Sequence, residues 1–253
     1  MGASRLPQAP AKVQAAGALS AGTVVPRVRC LDFREDPMSD RSTGVDERHF
    51  RYIAERTTPE DPFLAELKRA AFAEGIPEIW IAPEQAAFMQ ILLRAAGARE
   101  VLEVGTLAGV SAIAMARALP PGGRLRSIEI DPARADFAVR WIARSDVAGR
   151  IEVLRGAAAE VLPGLPDGSF DAAFLDADKP SYPLYLGECL RLVRRGGLVL
   201  ADNALAFGQL LEPAPDREDV QAVRAFNDIL AATPELQSVI VPLGDGLWVG
   251  VRR

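Results

Sequence analysis

Residues 170–179 read Phe-Asp-Ala-Ala-Phe-Leu-Asp-Ala-Asp-Lys, and residues 196–203 read Gly-Gly-Leu-Val-Leu-Ala-Asp-Asn. Each segment ends a short apolar run on acidic or amide side chains. Apolar runs of that length read as strands buried on both faces of a parallel sheet. In open α/β sheets, ligands sit just beyond the carboxyl ends of the strands. Two neighbouring strand ends would place Asp176, Asp202 and Asn203 at the mouth of one crevice. Three hard oxygen donors, with no sulfur and no imidazole, suit Mg²⁺ or Ca²⁺. Asp and Asn also cap helices. Capping accounts for one acid well, but not for acid-rich ends on two successive core strands.

Working outward, strand-like runs lie at 99–104, 124–130, 151–154, 170–175 and 198–201. Helical patterns lie between them, near 110–118, 132–145, 158–162 and 182–193. That alternation predicts βαβ units: a doubly wound, mainly parallel α/β sheet with helices on both faces. Upstream, 46–55 predicts a short helix, and Pro62 and Pro83 each open a further one; Gly97 ends the last. Downstream, a helix around 219–232 precedes β-like runs at 237–242 and 247–251. Gly244-Asp245-Gly246 joins those runs, too short for a parallel crossover but ample for a hairpin. The reading is therefore a seven-stranded sheet with one antiparallel strand near the C-terminus.

The 253 residues are 49% hydrophobic and 25% charged, the balance of a globular protein. No apolar stretch approaches the roughly 18–20 residues of a membrane-spanning helix. A net charge of −5 argues against a general nucleic-acid binder, which would show a basic face. Cys30 and Cys189 have no metal-binding spacing, and Cys189 is expected to be a buried apolar residue. Nothing calls for an oxidising compartment, so a cytoplasmic protein is expected. The single histidine, His49, precedes the core pattern and is expected at the surface, which speaks against Ser-His-Asp chemistry. Residues 1–37 are rich in Ala, Pro, Val and Gly, with no acid before Asp32. They are expected to be a disordered extension upstream of Met38, leaving 38–253 as a single domain.

Glu103-Val104-Gly105-Thr106-Leu107-Ala108-Gly109-Val110-Ser111 follows the first sheet strand and opens a helix. Glycine lets such a loop turn tightly and approach a ligand. Leu107 takes the middle glycine position of the dinucleotide fingerprint, which disfavours a pyrophosphate ligand. Glu103 points the same way: its carboxylate would repel phosphate but could accept hydrogen bonds from an ammonium group. Glu129 lies twenty positions after Gly109. An acid about 20 residues beyond the loop is the expected partner of ribose hydroxyls.

The order E-V-G-T-x-x-G-x-S, I-E-I-D, F-D-x-x-F-L-D-A-D-K and G-G-L-V-L-A-D-N resembles the class I S-adenosylmethionine-dependent O-methyltransferases. Within them it resembles the cation-dependent caffeoyl-CoA and catechol O-methyltransferase branch. Pro83-Glu84-Gln85 and Pro242-Leu243-Gly244-Asp245-Gly246-Leu247 resemble that branch as well. The resemblance covers roughly residues 47–253. It implies that Glu103, Gly105, Thr106 and Ser111 hold the methionine part of S-adenosylmethionine and its surroundings. Glu129 would bind the ribose and Ala158 the adenine. Asp176, Asp202 and Asn203 would bind Mg²⁺ or another divalent cation such as Ca²⁺ or Mn²⁺. Lys179 would lie beside the acceptor oxygen, making Lys179 and Asp176 the catalytic pair, with Asp176 also on the cofactor side. The acceptor would be a catechol-like or related small molecule, and the assembly a homodimer. Val110, Ala206 and Ala86 depart from residues common in the branch, at positions expected to shape the acceptor pocket or its edge. Two rival readings are a non-catalytic S-adenosylmethionine-binding protein and a nucleotide-dependent oxidoreductase.

Overall fold

The computed structural model describes residues 44–213 and 216–253. The expectations for residues 1–37, and Cys30 among them, lie outside the described residues. Three helices come first: α1 (Glu47–Ala54), α2 (Pro62–Ala73) and α3 (Pro83–Ala95). Asp46 and Asp61 cap α1 and α2 by accepting backbone N–H bonds from the first turn. This satisfies donors that a helix start otherwise leaves unpaired. Pro62 and Pro83 occupy first-turn positions, where a missing N–H costs nothing. His49 is exposed and belongs to the Asp46 cap.

Strands and helices then alternate: β1 (Glu100–Val104), α4 (Val110–Ala116), β2 (Arg124–Glu129), α5 (Pro132–Arg144), β3 (Ile151–Arg155), α6 (Ala158–Val161), β4 (Phe170–Leu175), α7 (Tyr182–Leu192) and β5 (Val193–Ala201). The chain closes with α8 (Glu218–Ala232), β6 (Leu236–Val241) and β7 (Leu247–Arg252). The strand order is β3-β2-β1-β4-β5-β7-β6. The first five strands pair in parallel, and β7 runs antiparallel between β5 and β6. This is the doubly wound sheet with one antiparallel strand that the sequence predicts.

Side-chain alternation divides the core into two layers. Val101, Leu125, Phe174 and Leu200 pack with apolar residues of α2, α3, α4 and α5. Leu102, Val104, Leu175 and Ala201 pack with α7 and α8 on the other face, where Cys189 is buried. Covered on both faces, β1 and β4 have no solvent side, which is why their sequences do not alternate with polar residues. β5 starts at Val193, earlier than the apolar run 198–201 predicts. A register shift between Phe170 and Ala172 accommodates Arg194–Gly197, which carry no apolar signal.

The order reverses between β1 and β4, so the helices that follow them, α4 and α7, lie on opposite faces and a crevice opens at the strand ends. Phe174, fully buried in β4, packs in the core layer that also holds α2, α3, α4 and α5. Phe174→Ala should lower the unfolding free energy by about 3–5 kcal/mol, the usual cost of emptying a large core site. Urea denaturation monitored by circular dichroism measures this, and a loss below about 1 kcal/mol would contradict the packing described.

Candidate functional site

The crevice has a volume of about 640 Å³. Following the strand order, its wall runs from Gly156, Ala157 and Ala158 after β3, through Glu129 and Ile130 at β2, to Gly105, Thr106 and Leu107 at β1. It continues through Asp176, Asp178 and Lys179 after β4 to Asp202 and Asn203 after β5, with Phe207 and Asp245 beyond.

Gly105 has φ +102°, a conformation open to glycine and rarely to other residues. A Cβ at this position would collide with the carbonyl oxygen of Asp176. The loop after β1 therefore rests directly on the end of β4, and the two halves of the crevice are mechanically joined. The backbone N–H of Leu107 donates to Glu129 (2.8 Å), and that of Asp131 donates to its other oxygen (3.0 Å). Glu129 is thus fixed at the crevice wall with both oxygens oriented. Ser111 and Ala158 also line the wall.

Glu103 stands one layer behind. It is fully buried on the α4 side of β1 and is not among the residues lining the crevice. Ser127 Oγ donates to its Oε2 (2.5 Å), and Thr106 Oγ1 lies 2.5 Å from the same hydroxyl. Oε1 has no hydrogen-bond partner among the described residues. Burial pushes the Glu103 carboxyl up to about 8, against the opposing hydrogen bonds of Ser111 and Ser127.

At the other half, ladder pairing sets Leu175 beside Ala201, so Asp176 and Asp202 emerge on one level. Asp176 N–H donates to the Val104 carbonyl, and Asp202 N–H to the Leu175 carbonyl, extending the ladder to both acids. Neither Asp202 nor Asn203 caps a helix; a succession of turns follows them. Lys179 Nζ donates to Asp176 Oδ1 (3.2 Å) and to the Tyr182 hydroxyl (2.7 Å). Only 8% of Lys179 is exposed, so it is not a surface lysine. Gln85 Nε2 donates to Asp202 Oδ1 (2.7 Å). Burial raises the Asp176 carboxyl, with Lys179 opposing. Burial first, then the charge of Asp176, pushes Asp202 up to about 7.

Two desolvated carboxylates therefore face one ammonium. Their raised affinity for protons marks a local shortage of positive charge, which a divalent cation would relieve. Among the described residues no three His, Cys, Asp or Glu side chains gather as a metal group. The amide oxygen of Asn203 would be the third donor. Two carboxylates and an amide are hard oxygen donors and fit Mg²⁺, Mn²⁺ or Ca²⁺.

Sequence reasoning missed Gln85, Tyr182, Tyr185 and Asp245. Tyr185 donates to Asp178 (2.7 Å) at the crevice wall. Gln85 shares the buried stripe of α3 with Met89 and Leu93. A polar residue in an apolar stripe needs a buried partner, and that was the available signal. One of the three departures falls away from the crevice: Ala206 is buried against Val220 and Val223, whereas Val110 lines the crevice and Ala86 lines a neighbouring groove that shares Ile81 and Val110 with it. Phe207, beside Ala206, faces the crevice instead.

A family profile described as O-methyltransferase matches residues 54–253. The chain belongs to this O-methyltransferase family. It is 38% identical over 205 residues to a catechol O-methyltransferase of Niastella koreensis, covering 80% of this chain and 90% of the relative. It is 39% identical over 192 residues to a catechol O-methyltransferase of Mycobacterium tuberculosis, covering 76% and 87%. Among solved structures, the O-methyltransferase of Bacillus cereus in complex with S-adenosylhomocysteine superposes with a TM-score of 0.74. That pair is 31% identical, and the match covers 81% of this chain and 97% of the other. The enzyme class expected from the sequence is thereby shown, and the oxidoreductase reading is set aside.

In this O-methyltransferase the buried Glu103 generates a test. Its carboxyl is held above its ordinary value, so folded protein binds a proton that unfolded protein releases. Its stability contribution is therefore complete below about 4.5 and is lost as pH rises toward about 8. Glu103→Gln should remove this slope, so its stability relative to the parent should grow from pH 5 to pH 8. Urea melts of both proteins across that range check it; parallel profiles would contradict the assignment.

Proposed function

We propose that the protein transfers a methyl group from S-adenosylmethionine to a hydroxyl of a catechol-like small molecule, using a divalent cation. The observation that carries this reading is the joining of two chemically distinct halves in one crevice. One half holds the loop 105–111, Glu129 and Ala158; the other holds Asp176, Lys179, Asp202 and Asn203. The catechol O-methyltransferase names of the two relatives support it. So does the S-adenosylhomocysteine bound by the Bacillus cereus neighbour.

S-adenosylmethionine supplies an electrophilic methyl carbon on a sulfonium. Glu129, oriented by Leu107 and Asp131, has carboxylate lone pairs for ribose hydroxyls. Gly105, Thr106 and Ser111 surround the place for the methionine part, with Glu103 buried behind them and held by Ser127. Ala158, with Gly156 and Ala157, lines the place for adenine. Asp176 belongs to both halves.

Asp176, Asp202 and Asn203 would hold the cation, which supplies Lewis acidity that favours the oxyanion of a hydroxyl. That help matters because a phenol has an unperturbed pKa of about 10. Lys179, ion-paired to Asp176, adds fixed positive charge where the acceptor oxygen becomes anionic. In the transfer, an oxygen–carbon bond forms as the sulfur–carbon bond breaks, and the bonding pair goes to sulfur. The hydroxyl proton leaves for solvent. The walls contribute alignment of oxygen, carbon and sulfur.

Two further parts of the reading concern context. A homodimer through the sheet edge has a candidate surface, because β6 is an edge strand with Val239 57% exposed. No described helix is long and apolar enough to cross a membrane. A cytoplasmic location remains part of the proposal.

Methyl transfer to a catechol should require Mg²⁺ and stop in EDTA. Asp202→Ala should lower turnover by roughly 100-fold or more, while S-adenosylmethionine affinity measured by calorimetry stays within about threefold of the parent. Full activity of metal-stripped protein, or of the variant, would overturn the cation part.

A further inference from the structure

The hairpin between β6 and β7 turns at Gly244-Asp245-Gly246, far from the glycine loop in sequence, yet Gly244 and Asp245 line the crevice. The Asp245 carboxylate accepts two hydrogen bonds at Oδ2. One comes from Asn203 Nδ2 (3.0 Å), the other from the backbone N–H of Phe207 (2.8 Å). The hairpin backbone holds the same segment, since Leu205 N–H donates to the Asp245 carbonyl and Ala204 N–H to the Gly246 carbonyl, both at 2.9 Å.

These contacts act on a strained segment. Asn203, Ala206 and Phe207 have φ of 64°, 53° and 58°. Side chains rarely adopt that conformation unless surrounding bonds enforce it. The choice of partner also orients the amide. A carboxylate oxygen accepts hydrogen bonds, so it faces the Asn203 nitrogen. The Asn203 oxygen is then the branch left free of Asp245.

The flanking glycines complete the arrangement. Gly244 has φ +57°, and a Cβ there would collide with Gln85 Oε1. Gln85 is 1% exposed and donates to Asp202. Gly246 has φ +81°, and a Cβ there would strike Leu205. One turn therefore bears on Asp202 through Gln85, and on Asn203 directly.

We propose that Gly244-Asp245-Gly246 is a positioning element that sets the donor atoms of both Asp202 and Asn203 for the cation. This rests on the cation part of the function proposed above. Asp245 and Gln85 are positioning residues: they act through Asn203 and Asp202. Partners that orient a ligating side chain typically account for 10–100-fold in metal affinity.

The test is Mn²⁺ binding, followed by electron paramagnetic resonance on the full chain, with S-adenosylmethionine affinity as the check on folding. Asp245→Ala should weaken Mn²⁺ binding by roughly 10–100-fold and leave S-adenosylmethionine affinity within about threefold. Asp245→Asn keeps an acceptor oxygen for Asn203 and should recover most of the affinity. Gly244→Ala, which disturbs the turn from the Gln85 side and keeps Asp245, should also weaken Mn²⁺ binding. It serves as the second variant if Asp245→Ala does not fold. Parental Mn²⁺ affinity in the folded alanine variants would overturn the positioning role alone. Absence of Mn²⁺ binding by the parent protein would overturn both this role and the cation site on which it rests.

Discussion

Asp176 and Asp202 each follow the last paired residue of neighbouring parallel strands, Leu175 and Ala201, and hydrogen-bond register sets them side by side. Two carboxylates held at that spacing in a desolvated crevice repel each other, and burial makes the repulsion severe. The surroundings answer this charge in parts. Lys179 pairs with Asp176, Gln85 holds Asp202, and the Tyr182 hydroxyl takes a second Lys179 hydrogen bond while donating to the Leu175 carbonyl. Gln85, Lys179, Tyr182 and Asp202 are buried and Asp176 is half-buried, so the elements carrying them cannot shift independently. The helix α3, the turn after β4 and the start of α7 are thereby tied to one acidic pair.

The glycine loop joins the same constraint from the other side. Gly105 lies where no Cβ fits, against the Asp176 carbonyl. Under the proposed function, ligand contacts made by the loop would be registered to the acidic pair without an intervening side chain. That rigidity suits a reaction whose catalysis depends on aligning three atoms. Phe207 and Val110 border the same crevice, so under the proposed function they are positions where a change in acceptor shape would be read.

Much of this was legible in the sequence because it rests on local signals. Buried parallel strands announce themselves as continuous apolar runs, and Asp or Pro marks the starts of α2 and α5. The acids at 176 and 202 stand out because each ends a short apolar run. The Gly244-Asp245-Gly246 turn was legible as a hairpin, yet its contacts with Asn203 and Gln85 span 42 and more than 150 positions of sequence. No period or motif encodes such pairs. Gln85 could have been suspected from its place in an apolar helix stripe, but its partner could not. Glu103 was assigned to ligand contact from its position beside the loop. Strand alternation instead turns it toward α4, behind the wall, where it meets Ser127. The misplacement of Ala206 has a similar cause, since the φ of +53° that turns it inward is invisible in the sequence.

The account stands on the acidic pair being a cation site within the methyl-transfer crevice. The most direct measurement is a crystal structure of the protein grown with S-adenosylhomocysteine and Mn²⁺, with anomalous diffraction recorded for manganese. The account predicts one anomalous peak within coordination distance of Asp176, Asp202 and Asn203, beside a cofactor whose ribose meets Glu129. A bound S-adenosylhomocysteine with no manganese peak at those three residues, or with the peak elsewhere, would contradict it.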